Sequence, residues 1–356
     1  MATIDVKQLA MAKRVYNNKM EIEKDKEGNI IAGDEMALTK LVNSAFTKNG
    51  EINNYQAFRD LNKLILVGAE EFGKADFQKV INMLADYDQV GANDIKIYEL
   101  PKEKVKATMK LTATGSGVDF TRIPSYRNTE LATPVKHQFG VYYNVSRMIS
   151  DPVNEYKNAV DIVREEKVKY ILSKIYSVAS AAATAGKIPA QQIHTAANMT
   201  FPDFRSIESS LIRYGRNTRP VLIADPAFIS NLVDKQATVN VNDNISKYLT
   251  DDLREKLLSA TTFETVGRTI CINLDNPYTD KMNTKVDLPV DEAIMIAGGS
   301  SSPFKVTEFG GLTMLEDTLN QNIETEQVHL KISYKVDVTL LLTQAIAYLK
   351  DTVVKL

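Results

Sequence analysis

The chain has 356 residues, 44% hydrophobic and 25% charged, a balance that supports one elaborated core or two modest ones and excludes a disordered tail. Lys and Arg number 43 against 45 Asp and Glu, so no global field draws the chain to nucleic acid or an anionic membrane, and any such contact has to be local. A single cysteine, Cys271, excludes an intrachain disulfide and a multi-cysteine zinc site.

The first residues, MATIDVKQLAMAKRVY, lack the unbroken apolar core of a signal peptide, and no apolar run approaches the ~20 residues that span a bilayer. A reducing cytosol is therefore the expected compartment, and the sequons at Asn144, Asn198 and Asn244 are chance matches. Residues 1 to about 90 read as helices: DVKQLAMAKRVYNNKMEI, DEMALTKLVNSAF, NYQAFRDLNKLILVGAEEF and KADFQKVINMLADY. Phe58, Leu61, Leu64 and Leu66 keep the spacing of one helical face. Between the first two helices, EKDKEGNIIAGD has the outline of a calcium loop, with Glu23, Asp25, Glu27, Gly28, Ile30 and Asp34 in the ligand and turn positions. It starts on Glu and ends on the shorter Asp, so a solvated charged turn is the preferred reading.

From about 96 to 148 the period changes to two, in IKIYELP, VKATMKLTAT, VDFTRIP and HQFGVYYNVSRM, as strands joined by long connections require. Within it, KATMKLTATGSGVDFTRIP (106–124) is built as strand, Gly-rich tip and strand, with almost no apolar side to bury. Lys102, Lys104, Lys106 and Lys110 alternate ahead of that tip, as on a solvated strand edge or on a face meeting an acidic surface. Pro124 and Pro134 suit edges or bends.

Asp151-Pro152 is a helix start, and Val160, Val163, Val168, Ile171, Ile175, Val178 and Ala182 then predict one helix of about 30 residues, ~45 Å long. Such a helix is a strut rather than a part of a small domain. After Gly186 and Pro189, FPDFRSIESSLIRYG reads as an amphipathic helix ending on Gly215. RPVLIADPAFISNLVDKQ reads as a buried strand, an Asp-Pro turn and a helix, and TTFETVGRTICINL and EAIMIAGG as further strands, giving a compact α/β unit. HLKISYKVDVTLL alternates, with Leu330, Ile332, Tyr334, Val336 and Val338 on one face, and a short helix is expected at the end.

Motifs for chemistry are missing. Ala-Gly-Lys-Ile at 185–188 lacks the upstream glycine and the hydroxyl of a phosphate loop, and GSGVDF at 115–120 has Phe120 where a dinucleotide loop has its third glycine. No nucleophile elbow surrounds a serine. Cys271 sits in the apolar strand TICINL, and His137, His194 and His329 are far apart without metal-ligand spacing. No catalytic, metal-binding or cofactor-binding residue is assigned.

The order of parts resembles the major capsid proteins of tailed bacteriophages, an α+β architecture with the Hong Kong 97-type fold. NEYKNAVDIVREEKVKYILSKIYSVASAA carries the likeness to the spine helix, and FRSIESSLIRYGRNTRPVLIADPAFISNL that to the start of the axial domain. FGGLTMLEDTLNQNIETEQVHLKISYKVDVTLLLTQAIAYLK looks like the return into the peripheral domain. The resemblance covers about residues 90–356 and rests on architecture rather than on an invariant motif. It implies an N-terminal helical arm at 1–95 clamping adjacent subunits, an extended loop at 96–148 lying across a neighbour, and a spine at 149–189. An axial domain at 190–310 and return strands with a final helix at 311–356 complete it.

The implied role is structural and not enzymatic: self-assembly through hexamers and pentamers into an icosahedral head enclosing double-stranded DNA, in a virion built in the bacterial cytoplasm. Portal, scaffold or decoration proteins are the implied partners, with DNA touched only non-specifically at the inner surface and no membrane. The expected inter-subunit contacts lie at the loop tip: Lys106, Lys110, Thr114, Gly115, Ser116, Gly117, Asp119 and Phe120. Some members of that family seal the shell with a Lys-Asn isopeptide bond. Lys106 and Lys110 lie in the corresponding element, but no partner Asn or Glu follows from the sequence. An encapsulin-type compartment enclosing cargo protein is the alternative of the same fold, against which the long N-terminal helical region counts. A soluble ligand-binding or enzyme domain without a local signature is the alternative of another class.

Overall fold

A computed structural model describes residues 6–24, 30–72, 81, 83–100, 129–242, 265–274, 276–299, 301–316 and 327–356. Its helices are α1 (Val6–Tyr16), α2 (Asp34–Ala45), α3 (Tyr55–Phe72), α4 (Val145–Ser150), α5 (Pro152–Thr184), α6 (Phe201–Tyr214) and α7 (Pro226–Asn242). Together with the strands below they make a mixed helix-and-sheet protein, as expected.

The strut is α5, 33 residues long, hence about 50 Å at 1.5 Å per residue. Asp151 caps it by accepting from Asn154 N (3.3 Å), Pro152 occupies the first turn, and Gly186 beyond its end takes φ +67. Its buried residues serve two different partners. Tyr156, Ala159, Val160 and Val163 face one half of the molecule, and Ile175, Tyr176, Ala179 and Ala182 face the other.

Beside the first half stand α1 to α3. The Tyr156 hydroxyl donates to Leu64 O (3.2 Å), and the Tyr143 hydroxyl donates to Asn62 Oδ1 (2.9 Å). Leu38, Val42, Phe58, Leu61 and Leu64 are fully buried. The apolar faces of these helices, at helical spacing, are buried within this chain in the core that contains α5. The first helix also stops at Tyr16 instead of reaching Ile22, because Asn18 takes φ 56 and turns the chain into a ribbon of β1 (Ile22–Lys24) and β2 (Ile30–Gly33).

A further correction concerns ADYDQV, whose first three residues are read from the sequence as the end of the helix KADFQKVINMLADY. It is strand β3 (Ala85–Val90), parallel to β12 (Phe304–Phe309) from Ala85↔Phe304 to Val90↔Phe309. The partner lies more than 200 residues away in sequence, and such a non-local ladder overrides local helical spacing. The axis of this five-stranded sheet is β14 (Gln327–Leu340). One of its edges pairs with β6 (Val135–Asn144), and the other with β13 (Thr313–Glu316) and β12. Leu330, Ile332, Tyr334, Val336 and Val338 are all buried, as their alternation predicts. β6, expected in the extended loop, belongs to this sheet because Val141 and Tyr143 enter its core. The turn from β12 to β13 needs both Gly310 (φ +79) and Gly311 (φ +75), and a Cβ on Gly310 would lie 2.6 Å from that of Ala92.

Beside the second half of α5 lies a six-stranded sheet. Its order is β7 (Ile193–Ala196), β15 (Ile346–Asp351), β11 (Glu292–Ile296), β8 (Val221–Ala224), β10 (Thr269–Asn273) and β9 (Thr265–Val266). Alternate residues separate its faces. Ile223, Ile294, Ile296, Ile346 and Tyr348 join the core that contains α5, whereas Leu222, Ala224, Ala293, Met295, Ala347 and Leu349 pack with α6 and α7. The Tyr176 hydroxyl donates to Ile223 O (3.1 Å), tying the strut to the sheet. The final helix is corrected here. Residues 346–351 form a central strand, because a short run that is apolar on both sides fits a sheet covered on both faces.

Candidate functional site

The base of the extended loop is a two-stranded ribbon of β4 (Lys96–Glu99) and β5 (Thr129–Ala132), with Ile97 opposite Leu131 and Tyr98 opposite Glu130. Two faces follow from the alternation. On the inner one, Tyr98 and Ala132 pack on Phe309, which seats the ribbon on the main sheet. The Tyr98 hydroxyl lies 2.6 Å from Thr307 Oγ1 and donates to Asp88 Oδ2 (3.0 Å). Lys96 pairs with Asp88 at 3.2 Å, and Thr133 N donates to Asp337 Oδ2 (3.1 Å).

These contacts set the local electrostatics. Burial pushes the Tyr98 hydroxyl up to about 12, so it stays protonated as a donor. Burial also raises Asp88, but the Tyr98 hydroxyl, Lys96 and Lys305 outweigh it, and the carboxylate is held below its ordinary range. The inner face is therefore locked by an ionised acceptor and a neutral donor.

The outer face is different. Ile97 and Leu131, directly opposite one another, are 56% and 55% exposed, and Ile95 is 78% exposed. The outer face of the ribbon thus leaves apolar side chains in solvent. The expected tip residues Lys106, Lys110, Thr114, Gly115, Ser116, Gly117, Asp119 and Phe120 lie outside the described residues. The ribbon face itself was missed in the sequence. IKIYELP carried the alternation, but TELA has too few strand formers to be matched to it across the 27 intervening residues.

The residues weighed for chemistry are not brought together. His137 lies against Tyr170 with ring centroids 4.3 Å apart, and His329 against Tyr142 at 5.8 Å. Burial, with Lys174 nearby, lowers His137. Burial pushes the Cys271 thiol up to about 11, which leaves it protonated and unreactive at neutral pH. Of the calcium outline, residues 25–29 fall outside the described residues. Asp34 is already committed: it accepts from Arg14 Nε (2.8 Å), Arg14 Nη2 (2.7 Å) and Glu21 N (2.8 Å). Among the described residues no group of three or more His, Cys, Asp or Glu could hold a metal ion, and no helix is long and apolar enough to cross a membrane.

Residues 8–350 match the family model described as "SPbeta prophage-derived putative capsid protein YonB". The chain is 33% identical over 347 residues, 97% of either chain, to the SPbeta prophage-derived protein YonB of Bacillus subtilis strain 168. Among solved structures it is similar to the virus-like particle from Pyrococcus furiosus, at 14% identity and TM-score 0.39 over 82% of this chain and 99% of that one. It is also similar to the capsid of the cyanophage P-SCSP1u, at 9% identity and TM-score 0.46 over 77% of this chain and 88% of that one.

Proposed function

The chain belongs to the YonB family of prophage-derived capsid proteins, and we propose that it is the major structural protein of a phage head with the Hong Kong 97-type fold. Copies assemble through hexameric and pentameric capsomers into an icosahedral shell around double-stranded DNA. The role is structural rather than catalytic. Location in the virion follows from it, as do assembly in the bacterial cytoplasm and contact with portal, scaffold or decoration proteins.

One observation carries the reading. The β4–β5 ribbon is anchored by Tyr98, Ala132 and Phe309 on one face and leaves Ile97 and Leu131 to solvent on the other. A ribbon of two strands is marginal alone, so its outer face gains its partner only when another copy supplies it. Many such weak contacts, repeated in closed rings, make a stable shell.

Deleting Thr114–Val118 tests this. The shortened chain should keep the thermal unfolding midpoint of the parent within a few degrees and lose lattice formation in negative-stain images. A deletion that unfolds the subunit would make the loop part of the fold and contradict the reading.

A further inference from the structure

Residues 276–288 form a loop that is braced along its whole length. At the neck, Asn276 Nδ2 donates to Leu288 O (3.1 Å) and Asn276 Oδ1 accepts from Leu288 N (3.1 Å). Tyr278 and Val286 form a β-bridge. At the tip, Asp280 accepts from Thr284 N (2.8 Å), Thr284 Oγ1 (2.6 Å) and Lys285 N (2.8 Å). Lys169 of α5 pairs with Asp287 at 2.8 Å, fastening the loop to the strut.

What this scaffold presents is two large apolar side chains and two lysines around the carboxylate of Asp280. Met282 is 81% exposed and Tyr278 51%, and beside them Lys281 and Lys285 are exposed and make no ion pair among the described residues. Ordering a loop costs chain entropy, and holding two large apolar side chains in water regains none of it. The loop's own hydrogen bonds hold its shape, and a surface outside this chain would give the two apolar side chains their burial.

The same chain carries a surface of opposite character. Between β6 and the first half of α5 runs a groove of about 830 Å³. Tyr142 (60% exposed) and Ile162 (45% exposed) line it. Its charged lining is Glu155, Asp161 and Glu165 against Arg147, and neither Glu155 nor Glu165 makes an ion pair among the described residues. Met282 is not seated in it within its own chain, since most of that side chain is in solvent.

The geometry points to a contact between copies in which the 276–288 loop of one chain seats Met282 and Tyr278 in the β6–α5 groove of the next, with Lys281 and Lys285 facing Glu155 and Glu165. Opposite charge on the rims sets the orientation and the apolar centre supplies the burial. Knob and socket are different patches, so a head-to-tail repeat of the contact gives a ring where the rotation between copies closes. It rests on the assembly reading above and is independent of the 101–128 segment.

The full chain is compared by sedimentation velocity with K281E/K285E, with E155K/E165K and with the four substitutions combined. Each charge reversal should raise the concentration needed for assembly about tenfold, and the combination should restore it to within about threefold. Unfolding midpoints within a few degrees of the parent exclude misfolding. In a C271A background, oxidation of a mixture of M282C and I162C chains should give a cross-chain disulfide that M282C alone does not give with unmodified partners. Assembly unaffected by either reversal, with no disulfide, would overturn the contact and leave the shell reading standing. A disulfide from I162C to T114C chains but not to M282C chains would assign the groove to the extended loop and overturn it as well. A parent chain that stays monomeric would remove the shell reading itself.

Discussion

Lys167 joins α5 to three strands of the five-stranded sheet. Its ammonium lies 3.2 Å from Glu308 Oε2, with the two side chains 13% and 3% exposed, and sits 4.9 Å above the ring of Tyr334. The Tyr334 hydroxyl donates to Glu308 Oε2 (3.4 Å) and lies 3.2 Å from that of Tyr87, so α5, β3, β12 and β14 meet at one ion pair. Burying two charges is repaid only while both are present. Lys167→Met should therefore cost about 3–5 kcal/mol, and adding Glu308→Gln should recover most of the loss, measured by urea unfolding. A double variant no better than the single one would mean that the loss does not come from leaving Glu308 buried without its cation.

Asp351 makes the corresponding junction in the other half. It accepts from Lys235 Nζ (2.5 Å), Asn198 N (2.8 Å), Met199 N (3.0 Å) and Val353 N (3.1 Å). Burial raises this carboxyl, but Lys235 and the backbone donors from Val353 and Asn198 outweigh it, and the net shift is downward from 3.8. A carboxyl lowered on folding contributes stability above its unfolded value and loses it as pH falls through its folded one. Stability should then be level near neutrality and fall below about pH 4, and Asp351→Asn should flatten that acid limb while costing about 2 kcal/mol at pH 7. An unchanged acid limb in the variant would contradict the assignment.

At the scale of elements, what was legible depended on how local the cause was. The strut could be read to within a few residues, because an Asp-Pro start, helical spacing and a glycine stop are all encoded within it. Likewise α6 has its capping box of Thr200 and Asp203 and its stop at Gly215 in one stretch. β3 and β15 were missed for the opposite reason. Their partners are distant in sequence, and AIAYL has the same apolar run whether it becomes a buried strand or a helix. The candidate surface divides in the same way. The loop was visible as an alternating polar stretch, whereas the outward pair Ile97 and Leu131 appears only once β4 and β5 are in register. Ile97→Ser with Leu131→Ser should leave the unfolding midpoint within a few degrees, since both side chains are already exposed, and should weaken assembly at least tenfold by light scattering. Loss of stability without loss of assembly would make that face structural.

For the whole molecule, the arrangement is a rigid strut that belongs to two cores at once. The first half of α5 is packed by α1–α3 and the five-stranded sheet, and the second half by the six-stranded sheet. Tyr156 and Tyr176 are bonded to backbone carbonyls on either side. A strut packed into two cores holds the ribbon, the braced loop and the groove at set places on the subunit, as the proposed contacts between copies require. The central claim is that this chain builds closed assemblies from copies of itself. Sedimentation velocity of the purified full-length chain, with negative-stain microscopy of the same fractions, tests it most directly. Capsomer rings or polyhedral shells are expected above a threshold concentration. A single species at the mass of one chain, at every concentration and salt tried, would contradict it.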